Sequence, residues 1–453
     1  MGFTDVKFKF PLTEATATAT AAREMSYLQA QSFSSMDIHM SGKTCKSPHS
    51  FRSYKLRGEY EKPWLKDKRF KKGRINDVIV ITFFALGCIV CAYILYDGYV
   101  MATPPGEYCL VMDDDFKSID SNNWGYEIQI GGFGNGEFGW ATDDPQNSFT
   151  DAEGLHIVPT LTTKSTSITE TQLLDGHTLN LTAAGGGGSC TSPDVEMCSI
   201  TSNDTLGYVL PPVRSARITT KGRKAIKYGR VEVVAKMPKG DWLWPAIWMM
   251  PEDSVYGAWP ASGEIDIAES RGNDYKYPRG RDSVVSTLHW GPDYQHDGYM
   301  TTYGTKFLKR TDYSDRFFTY GLEWNKDYIF TYVGNRLKQV FYLDFKEKEP
   351  FWQKGNFQGM ATGNGTLITN PWLKAGNAIA PFDQKFYLIL NVAVGAQNGW
   401  FYDGKYNKPW VDGSTSAARD FWKAKDQWLP TWGEGNDRGM TVKSVKMWQQ
   451  GKC

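Results

Sequence analysis

At 453 residues the chain is long enough to bury a large core and to hold more than one region. Its 51 Lys and Arg nearly cancel 50 Asp and Glu, which argues against the basic excess of a nucleic-acid binder. Aromatic residues reach 14%, with 17 Trp; a large β-core and a groove that stacks sugar rings both use such a content, so composition does not choose between them.

Residues 1–74 read as a disordered tail. The run Thr13 to Ala22 is low-complexity, and the Ser-rich and charged stretch after it has no sustained apolar period. Residues 78–96 then run without a charge, long enough as a helix to cross the ~30 Å hydrocarbon core. The segment starts too far from the N-terminus for a cleavable signal peptide, so a membrane-anchoring helix is expected over 75–97. Its flanks set the orientation. Ten Lys and Arg stand in residues 52–74 against Glu59, Glu61 and Asp67, whereas residues 97–116 carry five acids and no Lys or Arg. The positive-inside rule then puts the tail in the cytosol and residues 98–453 outside or in a lumen, a single-pass type II arrangement. The basic flank can also meet anionic lipid headgroups.

From residue 98 onward no second long apolar run occurs. Strand-like segments recur at 229–237, 283–290, 328–333, 386–394 and 440–448, rich in β-branched and aromatic residues and bounded by Gly, Asn, Asp and Pro. They predict one all-β sandwich domain over 98–453. Cys45 falls in the tail, and Cys88 and Cys91 in the apolar segment, as small apolar residues or acylation sites. Cys109, Cys190, Cys198 and Cys453 remain for an oxidising compartment. Three pairings are open; the one expected joins Cys190 to Cys198 across a short loop and Cys109 to Cys453 at the domain ends. Acceptor sequons stand at Asn180, Asn203 and Asn364, all on the outer side of the expected membrane.

The most informative segment is Glu264-Ile265-Asp266-Ile267-Ala268-Glu269. Isoleucines alternating with acids give a strand period, with Glu264 and Asp266 on one face. Glu269 lies five residues from Glu264 and in a regular strand would face the other way. A bulge around Ala268 would return it and line one cleft with three acids. Such a group is costly to bury unless it is exposed, binds a cation or does chemistry. Retaining glycoside hydrolysis needs two carboxyls about 5–5.5 Å apart, a nucleophile and an acid/base. An exposed acidic strand and a divalent-metal site are the other readings. Trp and Tyr crowd the approach, in Trp242 to Pro251 and in Tyr256 to Gly263, and Arg271-Gly272-Asn273-Asp274 follows.

The runs WPAIWMMP, YGAWPASGEIDIAES and RGND resemble the signature of the family 16 glycoside hydrolases. The likeness is to the laminarinase branch and its relatives, the β-1,3-glucan-recognition proteins. Weaker matches extend it over most of residues 105–453: Asn123-Trp124, Gly134 to Glu137, Ser286 to Gly291, Leu390 to Gly395 and Met440 to Gln449. The resemblance implies a β-jelly roll whose concave face is an open glucan groove. It implies Glu264 as nucleophile, Glu269 as acid/base and Asp266 assisting between them. Trp248, Trp259, Tyr256 and Trp290 would be sugar platforms, and Arg230 and Asn391 would bond hydroxyls near the scissile bond. His289 would sit beside the acid/base and Trp400 at an acceptor subsite. No cofactor is required; a structural calcium is known in the family, but no EF-hand-type ligand run stands here, and no metal ligand is assigned. The expected activity is that of a retaining endo-β-1,3-glucanase, with transglycosylation open because both share a glycosyl-enzyme. The alternatives are a non-catalytic β-glucan-recognition protein and a membrane-tethered wall-assembly factor. Recognition relatives commonly lose one or more of the acids, and this chain keeps all three.

Overall fold

A computed structural model describes residues 57–101, 106–182, 188–345 and 349–453. The Thr13–Ala22 run, Cys45, residues 1–56 of the expected tail and Gly185 to Gly187 lie outside the described residues. The chain divides into two compact units, Met1–Ala102 and Thr103–Cys453.

In the first unit a short 3-10 turn, Pro63–Lys66, precedes the 33-residue helix Arg69–Met101. The Asp67 carboxylate accepts from the Arg69 backbone N–H at 2.9 Å and occupies the positive end of that helix. Within it, Lys72–Val100 is long and apolar enough to cross a membrane by length and composition. At 1.5 Å per residue its 29 residues span about 44 Å. The apolar character runs all round the helix, and Val78, Ile81, Phe83, Phe84 and Leu95 are all exposed. An amphipathic core helix would instead hide one stripe.

The second unit is a jelly-roll β-sandwich of two eight-stranded antiparallel sheets. One sheet runs, neighbour by neighbour, Gln339–Asp344, Tyr328–Val333, Phe318–Trp324, Gly229–Lys236, Met440–Gln450, Gly154–Ile157 and Ser148–Asp151, with Tyr108–Asp114 also paired to Met440–Gln450. The other runs Tyr303–Phe307, Ser283–His289, Glu264–Glu269, Leu243–Pro251, Phe386–Val394, Arg217–Thr219 and Gly125–Tyr126, with Ala225–Ile226 also on Phe386–Val394. The alternation read from sequence explains the layering. In Gly229–Lys236 the inward Val231, Val233 and Ala235 are fully buried, while Arg230, Glu232 and Lys236 face out. Ile247, Met249, Ile265, Leu388 and Leu390 of the second sheet meet Val231, Leu322, Val442 and Val445 of the first in one core. Each such side chain contributes about 1.5–3 kcal/mol by leaving water.

A smaller core of Ile128, Ile130, Leu173, Leu179, Leu181, Val209, Leu210 and Trp422 lies beneath the hairpin Thr178–Asn180/Ser199–Thr201. Cys190 and Cys198 are disulfide-bonded beside it. Cys109 and Cys453 form the second disulfide, with Cα atoms 4.9 Å apart: Cys109 pairs with Gln449 at the end of the strand Met440–Gln450, and Cys453 follows that strand by three residues. Of the sequon residues, Asn364 is exposed in a turn and Asn180 and Asn203 are half-buried.

Candidate active site

The strand Glu264–Glu269 lies between Leu243–Pro251 and Ser283–His289. Glu264 pairs with His289 and Asp266 with Thr287, but the next pair is Glu269 with Val285. Two residues, Ile267 and Ala268, therefore stand opposite the single Ser286. This is a bulge, and it re-aims Glu269 onto the face of Asp266. Ser286 holds it in place: its hydroxyl donates to the Ile267 carbonyl at 2.6 Å. On the other side Asp266 pairs with Trp248 and Glu269 with Ala246, so the acids share a face with the Trp244–Ala246–Trp248 row. Ile265, Ile267 and Ala268 are buried in the core beneath.

The approach to the strand is equally fixed. Gly263 enters it at φ +82°, a conformation that favours glycine. Ser262 bridges the preceding loop, donating from its hydroxyl to the Gly257 carbonyl at 2.7 Å and accepting from the Tyr256 N–H at 3.0 Å. Trp372 and Gln384 donate to the Ala261 and Ser262 carbonyls at 2.7 and 2.9 Å. The loop so held carries Trp259, 40% exposed, whose indole N–H donates to Glu264 Oε2 at 2.6 Å. A second indole, Trp244, donates to Glu269 Oε1 at 2.9 Å. His289 Nε2 lies 3.2 Å from Asp266 Oδ2, and its Nδ1 is 2.5 Å from Asp297 Oδ2. The ligand atoms of Glu264, Asp266 and His289 lie within 4.8 Å of one another, a trio held by its own imidazole–carboxylate pair.

These contacts decide the protonation. Burial first, then the Asp266 charge, pushes Glu264 up to about 8 against the opposing pull of His289 and the Trp259 hydrogen bond. Burial, then the Glu269 charge, takes Asp266 to about 6. Burial likewise takes Glu269 to about 7, although His289 and the Trp244 hydrogen bond oppose it. Burial disfavours charge on His289, but its bonds to Asp266 and Asp297 prevail and hold its pKa well above the ordinary histidine value. The groove thus sets carboxyls that burial shifts to higher pH beside one histidine whose charged form its two aspartates favour.

Farther along the same face, Asn391 pairs with Ala246 and with Arg217. The Trp248 indole donates to Asn391 Oδ1 at 2.7 Å. Arg217 is ion-paired to Glu127, and its guanidinium lies between the rings of Phe133 and Trp248 at 4.1 and 4.6 Å. Glu137 lines the same hollow with Arg217 and Asn391, and burial pushes it to about 7. Trp400 stacks on Trp244 at 4.8 Å and carries the Arg271 guanidinium 3.8 Å above its ring.

Trp248, Trp259, His289, Asn391 and Trp400 therefore surround the acids or the residues that contact them. Two other candidates do not. Arg230 belongs to the opposite sheet, on its outer face, where it pairs with Glu232 and lies 5.1 Å from the Trp448 ring. Strand alternation turns it outward, and the pairing of Gly229–Lys236 with Met440–Gln450 puts it on the far side of the sandwich. Trp290 is fully buried. Its strand ends at His289, and the indole turns in to bond Thr302 at 2.7 Å and pack on Phe351. Tyr256 is half-buried, with its hydroxyl donated to Asp383 at 2.8 Å. Sequence reasoning passed over Trp244, which the alternation Trp244, Ala246, Trp248 could have exposed, gave Glu137 of the Gly134 to Glu137 match no role, and missed Arg217 and Asp297, to which no motif points.

Residues 178–376 match the family model described as Glycosyl hydrolases family 16. A beta-1,3-glucan-binding protein of Penaeus monodon is 42% identical over 347 residues, covering 75% of this chain and 90% of that protein. A glucan endo-1,3-beta-glucosidase of Cryptopygus antarcticus is 30% identical, covering 66% and 84%. The chain spans less than half the length of three further insect relatives. Among solved structures, the laminarinase catalytic domain of Thermotoga maritima is 22% identical, with a TM-score of 0.45, over 76% of this chain and 100% of that one.

Proposed function

Because this chain belongs to the glycosyl hydrolases family 16, we propose that it is a retaining, endo-acting β-1,3-glucan hydrolase. The observation that carries this reading is the bulge at Ile267–Ala268, which brings Glu264, Asp266 and Glu269 to one groove face under two indole N–H donors. Protonated Glu269 donates to the glycosidic oxygen while Glu264 attacks the anomeric carbon from the opposite face. The bond to the leaving sugar breaks as the Glu264 ester forms. Glu269, now a base, takes a proton from water, which displaces Glu264 and restores the configuration.

The cycle needs Glu264 ionised and Glu269 protonated; burial first and then the Asp266 charge oppose ionisation of Glu264. The two indole donors and the His289 imidazolium all favour the ionised carboxylates, and Asp266 is the neighbour through which that balance is set. The reading extends to the rest of the chain. Residues 75–97, within the apolar helix segment Lys72–Val100, anchor the protein in a membrane with residues 98–453 outside or lumenal, and the three sequons carry glycans there.

The test uses the full chain in detergent with laminarin, followed by mass and by the anomeric proton signal. Shorter oligosaccharides released first as the β-anomer support the reading, and longer products move it to transglycosylation. A second reading, glucan binding without turnover, is favoured by the name of the Penaeus monodon relative. Binding of laminarin by the parent with no product would replace the first reading by the second.

A further inference from the structure

His289 is held from two sides. On one, Nε2 faces Asp266; on the other, Nδ1 donates to Asp297 Oδ2 at 2.5 Å. Asp297 lies in the loop after the strand, its side chain only 10% exposed, and that loop is folded around it. Its Oδ1 accepts the backbone N–H of Trp290 and of Tyr299, each at 3.2 Å. The imidazole is flanked by the Trp259 ring at 5.7 Å and the Tyr299 ring at 5.3 Å, and both restrict its rotation. The groups facing it are Asp266, Glu264 and Glu269 from the strand beside it and Asp297 from its own loop. Asp293 in the same loop is committed to His296 at 2.7 Å.

We propose that Asp297 is a positioning residue that keeps His289 a fixed imidazolium, and so keeps one positive charge permanently against the three groove acids. The effect on turnover rests on the glucanase reading above; the effect on His289 does not. A neutral imidazole has one N–H, which can serve Asp266 or Asp297 but not both. With Asp266 and Asp297 both ionised, only the doubly protonated ring offers an N–H toward each. That charge acts on Glu264, Asp266 and Glu269 alike, favouring their ionised forms against the burial that raises all three. Without it the nucleophile would hold its proton to higher pH.

Asp297→Asn separates charge from architecture. The amide oxygen still accepts from the Trp290 and Tyr299 N–H groups, but the anion opposite Nδ1 is gone. The experiment labels the six histidines of the full chain at Cε1 and follows them by NMR in detergent micelles as pH is varied, with His289→Gln assigning the resonance. In the parent the His289 signal should stay that of the imidazolium through pH 7. In Asp297→Asn its midpoint should fall by about one unit or more, the scale of an opposite charge at contact distance. At pH values between the lowered midpoint and the parental one His289 is neutral in the variant, so there the groove carboxyls lose a positive neighbour and the alkaline limb of the laminarin pH–rate profile should move to higher pH. Activity at pH 5, where His289 is protonated in both proteins, should change least. Asp297→Glu should restore the parental midpoint and profile. Should Asp297→Asn fail to fold, Asp297→Ser is the second neutral variant. The same His289 midpoint in parent and neutral variant overturns the proposal, and so does a loss of activity that is uniform across pH. If the parent shows no turnover the glucanase reading falls, and the NMR midpoints alone decide whether Asp297 holds the charge.

Discussion

Buried acids occur on both outward faces of the sandwich, and they are treated oppositely. On the far sheet Glu323 is fully buried, yet Arg336 grips it with two nitrogens at 2.7 and 2.6 Å and the Tyr328 hydroxyl donates at 2.9 Å. On the groove sheet Asp266 and Glu269 are 2% and 7% exposed and share one imidazole with Glu264. The first arrangement pairs a carboxylate with a guanidinium fork. The second crowds three acids around one cation, and burial pushes all of them up. Residue type and depth are alike; only the partners differ. Partners therefore mark the reactive site more sharply than burial does.

The largest effect that would break this contrast is on turnover. Glu264→Gln and Glu269→Gln should each lower kcat on laminarin by about 10³-fold or more, with the fold intact by near-UV circular dichroism. Retained activity in either variant removes that residue from the chemistry. The mirror-image experiment is Glu323→Ala. It removes the buried carboxylate that the Arg336 guanidinium grips and should cost about 2–3 kcal/mol in denaturant unfolding. Turnover per folded molecule should not change, whereas a kinetic loss at constant stability would erase the distinction between the faces.

A smaller effect lies in the pH dependence of stability. Glu264 has an ordinary value of 4.5 and is raised to about 8 in the folded chain. A raised group stabilises the fold fully below its unfolded value, and that contribution is lost as pH climbs toward the folded one. The parent should therefore lose Tm between about pH 4.5 and 8 through this group. Glu264→Gln removes the ionisation and should flatten that slope, leaving the variant about 2 kcal/mol more stable than the parent at pH 8. Parallel Tm curves for the two proteins would show that the groove acids carry no strain.

Much of the site was legible because the chemistry sits on one strand. Ile265 and Ile267 alternate with acids, and the odd spacing of Glu269 demands a bulge; the structure has its one extra residue at Ile267–Ala268, where the Ser286 hydroxyl donates to the Ile267 carbonyl. The sandwich was equally legible, since period-two segments at 229–237, 328–333 and 386–394 recur as strands differing by one residue at most. What failed depends on contacts distant in sequence. Alternation turns Arg230 outward, but only pairing with Met440–Gln450 says which outside. Trp290 follows His289 by one residue, and the end of the strand sends it into the core. Arg217 and Asp297 belong to no pattern and matter through a ring stack and a single short hydrogen bond.

The finest comparison is between two indoles. Trp244 donates to Glu269 at 2.9 Å and stacks on Trp400; Trp448 on the far sheet has the Arg230 guanidinium over its ring at 5.1 Å. Phenylalanine keeps an aromatic face and removes the N–H in both. The Trp244 bond lowers the Glu269 value, so its loss leaves the acid/base protonated to higher pH. Trp244→Phe should move the alkaline limb of the laminarin profile upward by a few tenths of a unit and lower kcat/KM by about tenfold, the worth of one hydrogen bond to a charged group. Trp448→Phe should leave both limbs in place. The pair is discriminating because each substitution removes the same atoms from a half-buried or buried ring. A shift in both variants would mean that the profile reports the packing of the sandwich rather than the partner of Glu269, and a shift in neither would mean that the Trp244 N–H is an anchor for the ring and not a control on the acid.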